Sequence, residues 1–221
     1  MKVLHTYCLN HNIGDYYLGI GVKNLLRSYL NVDLIAETNL QGTVFNEYYI
    51  ENVVNKKYDL LVIGGGGIIH GAHWPNGWFW LINEELIKKI KIPFIVYGVG
   101  YNYFANEGGI PAVGKSHLLE TINCSTYFSV RNDGSLERFE EQMNLIVPEI
   151  PDPGFHISLN RHYECIENEP FILIQLANDK PEFRFSLSQG QESFITEIRK
   201  VVAELSKRYK VIFTPHVYDD V

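Results

Sequence analysis

Residues 58–70 read Tyr58-Asp59-Leu60-Leu61-Val62-Ile63-Gly64-Gly65-Gly66-Gly67-Ile68-Ile69-His70. The apolar run Leu60–Ile63 has the make-up of a buried strand, and the four consecutive glycines are expected to end it. A turn without Cβ atoms lets the backbone approach a ligand closely and adopt positive φ. In an α/β sheet such a turn lies at the carboxyl edge of a strand, where ligands bind. Other glycine-containing or charged turns follow apolar strands elsewhere in the chain, and together they predict a substrate cleft.

Upstream, Val3–Leu9 reads as a first strand, followed by the turn Asn12-Ile13-Gly14-Asp15. Tyr16–Leu30 carries Leu18, Val22, Leu25, Leu26 and Tyr29 at helical spacing, Val32–Ala36 reads as a second strand, and Glu47–Asn55 as a short helix. Downstream, Leu81–Ile90 is expected to be helical, and Ile92–Tyr97 a strand closed by Gly98-Val99-Gly100. Ser116–Ile122 (helix), Tyr127–Val130 (strand) and Asp133–Gln142 (helix, capped by Asn132 or Asp133) complete the series. Strands and helices alternating at this rhythm predict a parallel, doubly wound, Rossmann-like α/β sheet. Pro148, Pro151 and Pro153, then the polar stretch Asn160–Glu169, mark a boundary. The expected organisation is an N-terminal domain at 1–160 and the start of a second Rossmann-like domain at 161–221. The latter is built from Phe171–Leu176, Glu192–Arg208 and Lys210–Phe213. A strand-helix-strand unit of about 50 residues is too small for a comfortable core, so the second domain reads as incomplete.

The 221 residues are 46% hydrophobic and 20% charged, ordinary for a globular protein. A net charge of −7 with no Lys/Arg stripe argues against a nucleic-acid partner. Cys8, Cys124 and Cys165 are far apart and lack metal-ligand or disulfide spacing, so reduced thiols are expected, with Cys8 in the core. The N-terminus does not read as a signal peptide, and no apolar stretch reaches the ~18 residues of a transmembrane helix. A cytoplasmic location is the expectation.

Each candidate turn has two readings. Gly14 permits a tight turn before a helix whose amino end offers open N–H donors. Asp15 then either caps that helix or, with Asn12, holds a sugar hydroxyl or handles a proton. The glycine run lacks the third glycine of a dinucleotide fingerprint, since Gly65-x-Gly67-x-x-His70 ends in histidine. It also lacks the Lys-Ser/Thr of a P-loop, so it is either a ligand-facing turn or a tight packing turn. His70, His73, Trp74, Trp78 and Trp80 crowd one loop, where they either stack a sugar ring or pack internally. Their spacing predicts no metal site. Arg131, ending a strand in Ser129-Val130-Arg131-Asn132-Asp133-Gly134-Ser135, either forks onto a carboxylate or phosphate ligand or pairs with Asp133 or Asp152. His216 and Asp220 follow the last strand as a general acid/base pair or as a solvated turn.

Taken in order, Asn12-x-Gly14-Asp15, Asp59-Leu-Leu-Val-Ile-Gly-Gly-Gly-Gly67, Pro93-Phe-Ile-Val-Tyr-Gly-Val-Gly100, Ser129-Val-Arg131-x-x-x-Ser135, Asp152-Pro-Gly-Phe155 and His216-x-x-x-Asp220 resemble the polysaccharide pyruvyl transferase family. The resemblance spans nearly the whole chain. It implies a two-domain fold like that of the GT-B glycosyltransferases, with the active site between two Rossmann-like halves. It also implies transfer of the enolpyruvyl group of phosphoenolpyruvate to two hydroxyls of a sugar, giving a cyclic pyruvate ketal on a cell-surface polysaccharide or its precursor. The implied partners are phosphoenolpyruvate, as donor substrate, and a saccharide or lipid-linked saccharide acceptor; no cofactor and no metal are implied. On this resemblance Asp15 and His216 are catalytic candidates, and Asn12, Gly14, Gly65, Gly66, Gly67, Arg131, Asp152 and Asp220 are substrate-binding candidates. Two departures stand out. Asn132 occupies the place of the aspartate in the family's Val-Arg-Asp, and the chain ends before the family's Arg-x-His motif, so it is expected to lack part of the catalytic set. The alternatives are a nucleotide-sugar glycosyltransferase, which would bind UDP or GDP in place of phosphoenolpyruvate, and a non-catalytic carbohydrate-binding relative, whose sugar binding would be lost in Trp78→Ala.

Overall fold

The computed structural model describes residues 1–9, 12–71, 74–102, 108–157, 169–176, 181–185 and 190–215. These form two compact units, the first built from the described residues of 1–9 and 14–157, including β1 (Lys2–Tyr7), the second from 12–13 and those of 169–215.

In the first unit β1 is followed by α1 (Ile13–Tyr29), β2 (Leu34–Asn39) and a helical stretch made of α2 (Glu47–Tyr49), a π-helical turn (Ile50–Val54) and α3 (Asn55–Lys57). Then come β3 (Leu60–Ile69), α4 (Glu84–Ile87), β4 (Phe94–Tyr101), α5 (Ala112–Cys124), β5 (Tyr127–Arg131), α6 (Ser135–Met143), β6 (Glu149–Ile150) and a 3₁₀ turn (Pro153–His156). The six strands are parallel in the order β2-β1-β3-β4-β5-β6. The Rossmann-like α/β reading holds. The order reverses between β1 and β3, and the crevice at the carboxyl ends of those two strands is the switch point at which such sheets bind ligands.

Side-chain alternation along the strands sorts the core onto two faces. Val3, Leu60 and Val62 pack with Val22 and Leu26 of α1. Leu4, Leu61 and Ile63 point the other way, into a larger cluster with Ile50, Val54, Trp78, Trp80, Ile87, Leu118 and Phe139. The continuous apolar run of β3 is thus explained by burial on both sides. Beside α1 a groove of about 290 Å³ is lined by Val22, Leu26, Tyr29, Val62, Ile95 and Tyr97, among others.

Several sequence expectations need correction. The glycines do not end β3, which continues to Ile69 and stays paired with β4 through a register shift between Gly66 and Ile69. β4 carries Gly98 and Gly100 alongside, so positive-φ residues on both strands are absorbed as an irregular ladder. The helix expected at Leu81–Ile90 shrinks to Glu84–Ile87, with Asn83 capping it through Glu85 N–H at 2.9 Å. The helix expected from Asp133 starts at Ser135 behind the left-handed Gly134, with no side-chain cap. Trp78 and Trp80 are fully buried, so they are core side chains and not a sugar platform.

The second unit consists of β7 (Phe171–Leu176), α7 (Pro181–Arg184), α8 (Gln191–Leu205) and β8 (Lys210–Pro215). β7 and β8 pair in parallel from Phe171↔Lys210 to Leu176↔Pro215. No helix among the described residues is long and apolar enough to cross a membrane.

Candidate functional site

Two polar groups gather at the carboxyl edge of the six-stranded sheet. The first surrounds the glycine turn of β3. Gly64, Gly65 and Gly66 have φ of 147°, 80° and 106°, values that side-chain-bearing residues avoid. Asp15 Oδ1 lies 2.8 Å from where a Cβ on Gly66 would stand, and Leu18 Cβ 3.3 Å from where a Cβ on Gly65 would stand. The first turn of α1 is therefore seated directly on the glycine backbone. Asp15 is the third residue of α1, where a carboxylate is favoured by the helix dipole. Gly14 lies inside the first helical turn and not in a turn preceding it, which corrects the tight-turn expectation.

Two histidines clamp this turn from inside the protein. His5 Nε2 donates to Gly64 O at 3.0 Å, and His70 Nε2 donates to Gly67 O at 3.0 Å. Both are buried. His70 stacks on Phe79 with centroids 4.3 Å apart, and His5 on Tyr7 at 4.4 Å. Tyr7 in turn donates to Glu37 at 2.6 Å, and Glu37 pairs with Lys23 of α1 at 2.7 Å. A carbonyl only accepts, so His5 carries its proton on Nε2, and its Nδ1 has no hydrogen-bond partner among the described residues. Burial pulls its pKa from 6.5 to about 4, outweighing the opposing pull of the Gly64 carbonyl and Glu37. Burial, reinforced by the nearby Asp15 charge, pushes the Cys8 thiol up, so Cys8 is no nucleophile at neutral pH.

This sets a pH dependence. An unfolded chain protonates His5 near its ordinary pKa and the folded chain only near 4, so between these values the unfolded state binds more protons. Stability is complete above the unfolded pKa and falls as pH drops toward 4, by roughly 3 kcal/mol at the limit. Burial also lowers the pKa of His117, adding a parallel loss. Urea unfolding from neutral pH down to about pH 4 should show a shallower decline in His5→Gln than in wild type, because glutamine keeps a donor toward Gly64 without titrating. An unchanged slope would show that His5 is not the buried titrating group.

The second polar group braces the ends of β4, β5 and β6. Arg131 donates from Nε to Asp133 Oδ2 at 2.5 Å and from Nη1 to Asp152 Oδ2 at 3.2 Å. Ser135 donates to Asp133 Oδ1 and accepts from Tyr101 N–H at 2.7 Å. Asp152 accepts Gly154 N–H at 2.7 Å, and its own N–H reaches Asn132 Oδ1 at 3.0 Å. The guanidinium lies under Gly100, where a Cβ would stand 2.6 Å from Nε. The ion-pair reading of Arg131 is thus realised with both expected carboxylates. Leu18 lies between the two groups, 3.3 Å from a Cβ position on Gly65 and 3.4 Å from one on Gly154.

The described motifs at the ends of β3, β4, β5 and β6 therefore sit at one sheet edge in the order in which the chain supplies them. Residues 12–220 match the family described as polysaccharide pyruvyl transferase. The chain belongs to that family. No curated protein matches it. Among solved structures it is similar to the UDP-GlcNAc 2-epimerase from Methanocaldococcus jannaschii, at 11% identity and a TM-score of 0.47, over 97% of this chain and 65% of that one. The chain thus spans 65% of the length of the epimerase.

Of the pyruvyl transferase candidates, Asp15 meets Gly66 at the β1/β3 crevice, beside Gly65 and Gly67, and Arg131 meets Asp152. His216 and Asp220 lie outside the described residues. Sequence reasoning missed His5, and His70 as a clamp. A histidine in the middle of an otherwise apolar first strand is a readable signal for the first.

Proposed function

We propose that the protein transfers the enolpyruvyl group of phosphoenolpyruvate to two hydroxyls of a saccharide, closing a pyruvate ketal. The family match over residues 12–220 carries this reading. The polar groups at the carboxyl edge support it. In the reaction C3 of the enol takes a proton and becomes a methyl group, while C2 develops oxocarbenium character. One hydroxyl bonds to C2 and gives up its proton, the C2–O bond to phosphate breaks, and the second hydroxyl closes the ring. Of the two hydroxyl protons, one balances that gained by C3 and the other leaves with phosphate.

Asp15 is assigned to accept a proton from an attacking hydroxyl. Its carboxylate stands at the crevice, at the positive end of α1. Arg131 is assigned to the anionic donor. A guanidinium has five N–H donors, so binding Asp133 and Asp152 through one donor each leaves others for a carboxylate or phosphate. In the assay the natural gene product is given phosphoenolpyruvate and a glycan acceptor, with phosphate release and the new ketal methyl signal recorded by NMR. Asp15→Asn should lower kcat by about 100-fold or more, the usual range for loss of a general base. If the wild-type protein neither gains thermal stability from phosphoenolpyruvate nor consumes it with any acceptor, the proposal fails, and stabilisation by UDP alone would point to nucleotide-sugar chemistry.

A further inference from the structure

Gly67 differs from the three glycines before it. Its φ lies outside the left-handed region, so its backbone would accept an ordinary residue. Space is what forbids a side chain there. A Cβ on Gly67 would stand 2.9 Å from Cβ and 3.2 Å from Nδ2 of Asn102. Asn102 follows β4 directly, and its backbone N–H is tied to Ile69 O at 2.8 Å, at the end of β3. Its side chain is nevertheless exposed. The adjoining residue, Gly66, carries Asp15 Oδ1 in the corresponding way at 2.8 Å. A carboxylate and a primary amide thus rest on consecutive glycines. The turn beneath them is held by His5 on Gly64 O and by His70 on Gly67 O.

From this juxtaposition we propose that Asn102 is a binding residue for a carbohydrate hydroxyl, acting beside Asp15. The chemistry is complementary. An ionised carboxylate only accepts hydrogen bonds, whereas an amide both donates and accepts. One sugar hydroxyl can donate to Asp15, while a neighbouring hydroxyl on the same ring accepts from Asn102 Nδ2 or donates to its Oδ1. A bare anion would be repelled by the carboxylate, which assigns this position to the polyol acceptor and not to the phosphorylated donor. The clamped turn reduces the ordering cost of binding, since the platform is set before the ligand arrives. This inference rests on the pyruvyl transfer reading only for which substrate the hydroxyl belongs to.

Saturation-transfer NMR of the full chain with the methyl glycosides of glucose, galactose and mannose as probes tests it. At least one glycoside should bind wild type, and Asn102→Leu should weaken it about 10-fold, as loss of one hydrogen bond to a charged or polar partner does. Asn102→Gln should restore binding to within a few-fold. Gly67→Ala should weaken it as well, by pushing the amide aside. Unchanged glycoside binding in Asn102→Leu, or no binding of any probe to wild type, overturns the proposal. A melting curve of Asn102→Leu matching wild type guards against misfolding, and if it does not match, Asn102→Asp, of nearly the same size but without the donor, replaces it. The phosphoenolpyruvate-induced melting shift is recorded in parallel and should persist in Asn102→Leu. Its absence in wild type would sink the donor assignment while leaving the glycoside result to decide the role of Asn102.

Discussion

Trp78→Ala is expected to leave the first unit barely folded. The indole is fully buried and packs edge-to-face on Trp80 with centroids 5.5 Å apart. Its Nε1–H donates to His117 Nδ1 at 2.9 Å, and His117 Nε2–H donates onward to Ile82 O at 2.7 Å, which fixes the neutral tautomer. Truncation opens a cavity costing about 3–5 kcal/mol. It also strands His117 Nδ1 in the core, for about 1–3 kcal/mol more. Against a total stability of roughly 5–15 kcal/mol, the sum is near unfolding. Trp78→Phe keeps most of the volume and loses only the hydrogen bond, so a much smaller drop in Tm separates the two terms. Equal melting of Trp78→Ala and wild type would mean that the indole is not core. A carbohydrate-binding role for Trp78 predicts the opposite pattern, with binding lost and stability kept.

Gly21→Ala carries the second large effect. In an exposed helix this change gains about 1 kcal/mol of propensity. Here an added Cβ would stand 1.9 Å from Pro153 O and 2.7 Å from Pro153 C. Both are backbone atoms in a rigid turn that also packs its ring against Gly98, so no side-chain rotation relieves the clash. Either α1 or the Pro153–His156 turn must move, for a net cost of about 2 kcal/mol or more. At roughly 2–4 °C per kcal/mol for a chain of this size, Tm should fall by about 4–8 °C. The turn carries Asp152 at its start, so activity should fall beyond what the stability loss explains. A neutral or raised Tm would show that α1 and this turn do not touch.

Legibility from sequence followed the range of the interactions involved. The alternation of apolar strands and amphipathic helices made the parallel sheet readable, because burial on two faces leaves a periodic trace in the chain. Arg131 was recognisable as an end-of-strand group with Asp133 and Asp152 as partners, since the first lies two residues away and the second in the next turn. The glycine run is legible as positive-φ backbone at the carboxyl end of an apolar strand, but its continuation as strand to Ile69 is not. Whether a strand stops depends on its neighbour, and here Gly64 and Gly66 stay paired with Tyr97 and Val99 of β4. The tryptophans illustrate the same limit. Composition alone does not separate a stacking loop from a core, and only the partner His117, 39 residues away, settles it.

By itself, then, the sequence determined the fold class, the family and the carboxyl-edge turns that supply the candidate site, because these rest on local periodicity and on motifs in order. Tertiary structure alone decided that His5 and His70 grip the glycine turn, that Arg131 is braced by two carboxylates, and that Asp15 and Asn102 share adjoining glycines. Those facts depend on which distant backbones approach within hydrogen-bonding distance. No residue encodes that approach alone; it is set by sheet order and by the packing of α1 against β3.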